Sequence, residues 1–130
     1  MEICLLKNLT DKVGRKYKKD DVEYWIKGRI NFMGELGVGQ HSKLIDLAKA
    51  SHRIDNLHFR DNDLYGTLVV YTTPMGVILQ SLIDAGMEIQ TSMRAIGIVD
   101  KENNVQLEGI YAFDITAHYS NQLMIHGSGI

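Results

Sequence analysis

The sequence is poor in the residues that most often carry structural or redox chemistry. It has one cysteine, Cys4, one proline, Pro74, and one tryptophan, Trp25. A lone cysteine cannot close an internal disulfide and leaves no CxxC metal or redox site. In a short first strand it reads as a small buried hydrophobe. A surplus of charge is missing too: 14 Lys and Arg stand against 16 Asp and Glu, a net charge of -2. Nothing electrostatic therefore points to nucleic acid or to an anionic membrane as a partner. No apolar run is long enough to span a bilayer, and residues 1–7 are too short and wrongly flanked for a secretory signal. The expectation is a soluble, cytoplasmic protein. Repeats, low-complexity tracts and linkers are also lacking, and the 12 glycines are scattered as turn punctuation.

What is present suffices for a core. The 130 residues are 45% apolar, which fits one compact domain over residues 1–130. Weak alternation predicts a strand over 2–7 and a loop at 14–17. Asp20 and Asp21 offer an N-cap and an acidic first turn to a short helix through Trp25 and Ile26, with Gly28 as its stop. Residues 29–36 read as a strand, 37–42 as a glycine-rich loop, and 44–50 as a helical turn or irregular chain. Two strand-like runs, 51–59 and 64–71, flank the hairpin signal Arg60-Asp61-Asn62-Asp63. The clearest helix follows, with Thr73 as cap, Pro74 at its first position and Gly86 at its stop. Residues 88–99 and 105–118 read as strands joined by a turn at 101–104, and the tail from 121 is ambiguous. Many strands with two short helices predict a mostly antiparallel β fold, a single barrel.

Alternation on the strand after the Pro-started helix places Gln90, Ser92, Arg94 and Ile96 on one face, and Ile89, Thr91, Met93 and Ala95 on the other. By itself that pattern is an ordinary polar strand face. A serine hydroxyl acts as a nucleophile only beside a base, usually histidine, and an arginine or a backbone N–H can stabilise an oxyanion. The base would come from His41, His52, His58, His118 or His126. His118 closes the long strand, where Asp114, Thr116 and His118 share a face that a neighbouring antiparallel strand would bring beside Ser92. His41 lies in the glycine-rich loop, from which a side chain can be offered to a cleft. His52 alternates with Ile54, Asn56 and His58. No HxxxH, HExxH or HxH pair occurs, and Gly34-Glu35-Leu36-Gly37-Val38-Gly39 lacks the lysine and following helix of a phosphate loop. Neither a metal nor another cofactor is expected.

Several short motifs recur in one order. These are Gly14-Arg15-Lys16-Tyr17, Met33-Gly34-Glu35-Leu36, Ala50-Ser51-His52-Arg53-Ile54, Leu64-Tyr65-Gly66 with Thr73-Pro74-Met75-Gly76, Gly86 through Gly97 around Thr91-Ser92-Met93-Arg94, and Phe113 through Ser120. In that order they resemble the prohead (capsid maturation) proteases of tailed bacteriophages, which share a fold with herpesvirus assemblin. The resemblance implies a serine endopeptidase that cleaves scaffold and capsid proteins in the host cytoplasm, inside or on the assembling head. It places the nucleophile at Ser92, the first serine of the family's S-S-R motif, and the third triad member at His118. The family's base follows its G-E-L motif almost at once, where this chain has Val38. His41 is the nearest histidine and the expected base, and His52, at the family's second histidine, is the alternative. Arg94 is expected to contact the oxyanion or substrate. Capsid and scaffold proteins are the implied partners, with room for a homo-oligomer. The sequence ends soon after Ser120, without the helical region usual at that point in the family, which bears on dimerisation. Val38 and that shorter end also motivate a second expectation: a catalytically inactive, protease-derived structural protein of the capsid, whether cement, decoration or internal.

Overall fold

A computed structural model describes residues 1–37 and 42–116 in full, and residues 122–125 as backbone. Among the described residues the chain runs β1 (Glu2–Leu6), β2 (Lys16–Tyr17), α1 (Lys19–Ile26), β3 (Asn31–Glu35), a 3₁₀ turn (Leu47–Lys49), β4 (Ala50–Arg60), β5 (Asp63–Val70), α2 (Pro74–Asp84), β6 (Gln90–Val99), β7 (Asn104–Thr116) and β8 (Gln122–Ile125). The strands form two four-stranded sheets, ordered β1-β5-β4-β3 and β2-β7-β6-β8.

The single closed barrel expected from the run of strands does not form among the described residues. The two sheets meet at isolated bridges only, Leu36 with Ile115 on one side and Lys7–Thr10–Lys16 on the other. Two pairings are parallel rather than antiparallel, β2 with β7 and β6 with β8. Both involve elements too short to show a period, two and four residues long. The helix at Asp20 also differs: its N-cap is Lys18, and Asp20 and Asp21 lie in the first turn, where negative charge suits the positive end of the helix dipole.

The helix α2 forms as its sequence dictates. The Thr73 hydroxyl accepts the Gly76 N–H at 3.1 Å, Pro74 needs no N–H at the first position, and Gly86 adopts φ 81° just beyond the last turn. The β4–β5 hairpin turns on Asp61 at φ 54°, a left-handed conformation that Asp and Asn tolerate better than most residues.

The inward faces of the two sheets build the core. Phe32 and Ile54 of one sheet and Met93, Ala95, Phe113 and Ile115 of the other belong to one apolar cluster. Phe32 and Phe113 meet edge to face with centroids 5.4 Å apart, a favoured aromatic geometry. Val22 of α1 and Leu79 of α2 close the cluster's flanks. Burial of each such side chain stabilises by about 1.5–3 kcal/mol. No helix among the described residues is long and apolar enough to cross a membrane.

Candidate functional site

With Met93 and Ala95 committed to the core, alternation turns Ser92 and Arg94 to the opposite face of β6. The register sets Ser92 against Asp114, Gln90 against Thr116 and Arg94 against Ala112. Asp114 therefore shares the face of Ser92 and Arg94, as the alternation on the long strand anticipates. This second face is buried as well: Ser92 is 2% exposed, and Arg94 and Asp114 are 0%. A strand buried on both faces can carry a charge only if the charge is paired and hydrogen-bonded.

Arg94 meets that condition completely. Its Nε and Nη2 donate to the two oxygens of Asp114 at 3.1 and 2.9 Å, a bidentate geometry that only a guanidinium offers. Nη2 also lies 3.2 Å from Glu35 Oε2. Nη1 donates to the carbonyls of Ser42 and Leu44 at 3.3 and 3.0 Å. Four of these contacts are hydrogen bonds and the fifth, to Glu35, is an ion pair. Among the described residues Arg94 is therefore a buried, ion-paired hub.

Glu35 ends β3 beside this hub. Its backbone N–H donates to Asp114 Oδ1 at 2.9 Å, and its Oε2 accepts the Asp46 N–H at 2.9 Å. Burial pushes the Asp114 carboxyl above its ordinary range, while the Glu35 N–H and Arg94 pull it back down. Sequence reasoning placed Glu35 in a motif and Asp114 on the right face, but assigned neither a role. The signal in the sequence is that Arg94, Glu35 and Asp114 each stand among mostly apolar neighbours: Met93, Ala95 and Ile96 around Arg94, Phe32 and Met33 before Glu35, and Phe113 and Ile115 beside Asp114.

Two polar atoms on this face are orphaned. Ser92 Oγ and Gln90 Oε1 are buried without a hydrogen-bond partner among the described residues. Native proteins leave few such atoms, because each costs its full desolvation.

The histidines divide. His41, His118 and His126 lie outside the described residues. His58 sits on the other sheet, its Nδ1 bonded to the Asn56 carbonyl at 2.8 Å and its ring stacked on Tyr65. His52 is fully buried on β4. Its Nε2 lies 2.7 Å from the Phe113 carbonyl and its Nδ1 2.7 Å from Ser51 Oγ. A carbonyl only accepts, so Nε2 carries the proton and Nδ1 accepts from the serine hydroxyl. Neither ring nitrogen bonds to Ser92. Burial holds the His52 pKa down to about 4, against a smaller upward pull from the Phe113 carbonyl. Its ring crosses to β7 over Gly34, where any Cβ would collide with the Phe113 carbonyl and with His52 Nε2.

Gly37 donates its N–H to the Ile115 carbonyl at 2.9 Å, Ser42 is held on Arg94, and Thr116 lies opposite Gln90.

No protein-family model and no curated protein matches the chain. Among solved structures it is similar to the bacteriophage T4 capsid assembly protease, gp21, with a TM-score of 0.68 and 21% sequence identity. The match covers 89% of this chain and 79% of that one. At that identity the likeness establishes a shared fold.

Proposed function

We propose that the protein is a serine endopeptidase of phage head maturation, acting on scaffold and capsid proteins at the assembling head within the host cytoplasm. Ser92 is the nucleophile, His41 the base and His118 the group that orients it. The Ser92 hydroxyl attacks the scissile carbonyl while His41 takes its proton. His41 then returns a proton to the leaving amine as the C–N bond breaks, and water releases the acyl group from Ser92 by the reverse sequence. Because the Arg94 side chain is buried and ion-paired with Asp114 and Glu35, the developing oxyanion falls to backbone N–H groups near it. His52 stays outside this chemistry: a histidine with a pKa of about 4 and two engaged ring nitrogens is a poor proton acceptor at neutral pH.

The observation that carries this reading is the buried Ser92 hydroxyl, without a hydrogen-bond partner among the described residues, on a fold shared with a capsid assembly protease. Purified protein incubated with scaffold and capsid proteins should cleave them, and Ser92→Ala should lower the rate at least about 10³-fold. The competing reading, a protease-derived structural protein of the capsid, draws on the burial of both Ser92 and Arg94. It prevails if the native protein cleaves nothing and is recovered intact, at high copy, from finished particles.

A further inference from the structure

Residues 42–46 form neither strand nor helix, yet they are pinned to the face of β6 and β7 that carries Ser92. Apolar burial contributes only in part, through the half-buried Ile45. Leu44 is 79% exposed and Leu47, just beyond, is 73% exposed. The ties are polar. The carbonyls of Ser42 and Leu44 accept from Arg94 Nη1, and the Asp46 N–H donates to Glu35 Oε2. Lys43 adds a longer contact, 6.0 Å from the centre of the Tyr111 ring. Asp114 in turn grips the other edge of the guanidinium and the backbone of Glu35.

We infer that Arg94, Asp114 and Glu35 form a positioning clamp that fixes residues 42–46 across the strand pair carrying Ser92, and that this clamp sets the turnover of the Ser92 site. The inference rests on the peptidase reading, in which the base is His41, the residue bonded to Ser42. For packing alone, an apolar trio of equal volume would serve as well as two buried carboxylates and a guanidinium, or better. An apolar trio cannot hold two carbonyls and an amide of a segment whose leucines face water. The geometry also requires arginine: lysine keeps the charge but lacks the planar fork that reaches both Asp114 oxygens and two carbonyls at once. Small displacements of a catalytic group cost on the order of 10²-fold in rate, so a clamp of this kind acts on kcat more than on KM.

A test from the strap side leaves the buried charges in place. Asp46 has φ -74°, which proline accepts, so Asp46→Pro removes the N–H bonded to Glu35. It also removes the carboxylate that caps the 3₁₀ turn at the Ala48 N–H. Asp46→Ala removes the cap alone and is the matched comparison. Three quantities are read for both variants: the rate at which a serine-directed organophosphonate labels Ser92, kcat and KM on a scaffold-derived peptide, and Tm. Labelling and kcat should be about tenfold lower in Asp46→Pro than in Asp46→Ala, with KM and Tm closely similar. Arg94→Lys, which keeps the charge but not the planar fork, should lower labelling and kcat more strongly and also lower Tm, since Asp114 and the two carbonyls lose partners. Equal labelling and equal kcat in the two Asp46 variants overturn the clamp and leave the peptidase reading standing. If the native protein is neither labelled nor active, the peptidase reading falls and the clamp falls with it.

Discussion

At the scale of single residues, Ser92 and Arg94 stand two positions apart on one strand face, and they should respond to substitution with opposite signs. Ser92 Oγ is buried and has no hydrogen-bond partner among the described residues, so Ser92→Ala removes a desolvated hydroxyl and breaks none of the bonds described. Its effect on stability should be neutral to stabilising, by up to about 1 kcal/mol, while the proposed cleavage is lost. Arg94→Met keeps most of the volume but leaves the Asp114 and Glu35 carboxylates buried without their counter-charge. That should destabilise by about 3–5 kcal/mol. Urea denaturation of the two variants measures both. A Ser92→Ala protein clearly less stable than the native one would show that the hydroxyl has a hydrogen-bond partner in the resting protein. Alternation alone put these two side chains on a common face, which the structure bears out. It could not say what covers that face. The cover comes from Glu35 and residues 42–46, segments remote in sequence, so Arg94 looked open to substrate when it is enclosed.

Elements were legible where local chemistry decides them. Thr73, Pro74 and Gly86 mark both ends of α2 without help from tertiary contacts, and the hairpin turn at Asp61 follows from its residue types. The strands β2 and β8 were not legible, since each is defined by its partner, β7 and β6, rather than by a pattern of its own. Glycine shows the same division. Gly34 stands opposite His52 in the β3–β4 ladder, and a Cβ there would strike the backbone carbonyl of Phe113 as well as the His52 ring. A carbonyl held in a strand cannot step aside as a flexible side chain can. Gly34→Ala should therefore cost at least about 3 kcal/mol, at the upper end of overpacking penalties, or prevent folding. Gly14 has φ 90° and open space around its Cβ position, so Gly14→Ala should cost only about 1 kcal/mol of backbone strain. Soluble yield and the denaturation midpoint distinguish the two. Near-equal costs would mean that β3 can move away from β7, and that the crossing at Gly34 is looser than its geometry implies.

Across the whole molecule, the question is what joins two sheets that do not close into a barrel. Apolar packing supplies most of it, and two buried polar ties cross the gap. One is Glu35 to Asp114 and Arg94, and the other is His52 of β4 to the Phe113 carbonyl of β7. The second makes stability depend on pH. An unfolded His52 titrates near 6.5, and in the fold burial holds it down to about 4. Between those values the unfolded chain binds a proton that the native chain does not, so stability falls as pH drops through that window. It is unaffected by His52 above the window, and the total loss at its foot is about 3 kcal/mol. Asp114 works in the opposite direction. Its carboxyl is raised by burial, so the native state takes up a proton more readily than the unfolded chain, and protonation there offsets part of the acid loss. His52→Gln keeps an N–H for Phe113 and cannot titrate. Stability of this variant, measured from pH 7 to pH 4, should lack the acid slope while starting from a lower value at neutral pH. The same variant separates structure from chemistry. With His41 as the base, His52→Gln should leave the shape of the pH–labelling profile of Ser92 intact, because a sheet-to-sheet tie does not titrate with the nucleophile. A folded His52→Gln protein as unreactive as Ser92→Ala would instead make His52 the base, and would require its ring to leave both Ser51 and Phe113 to reach the serine.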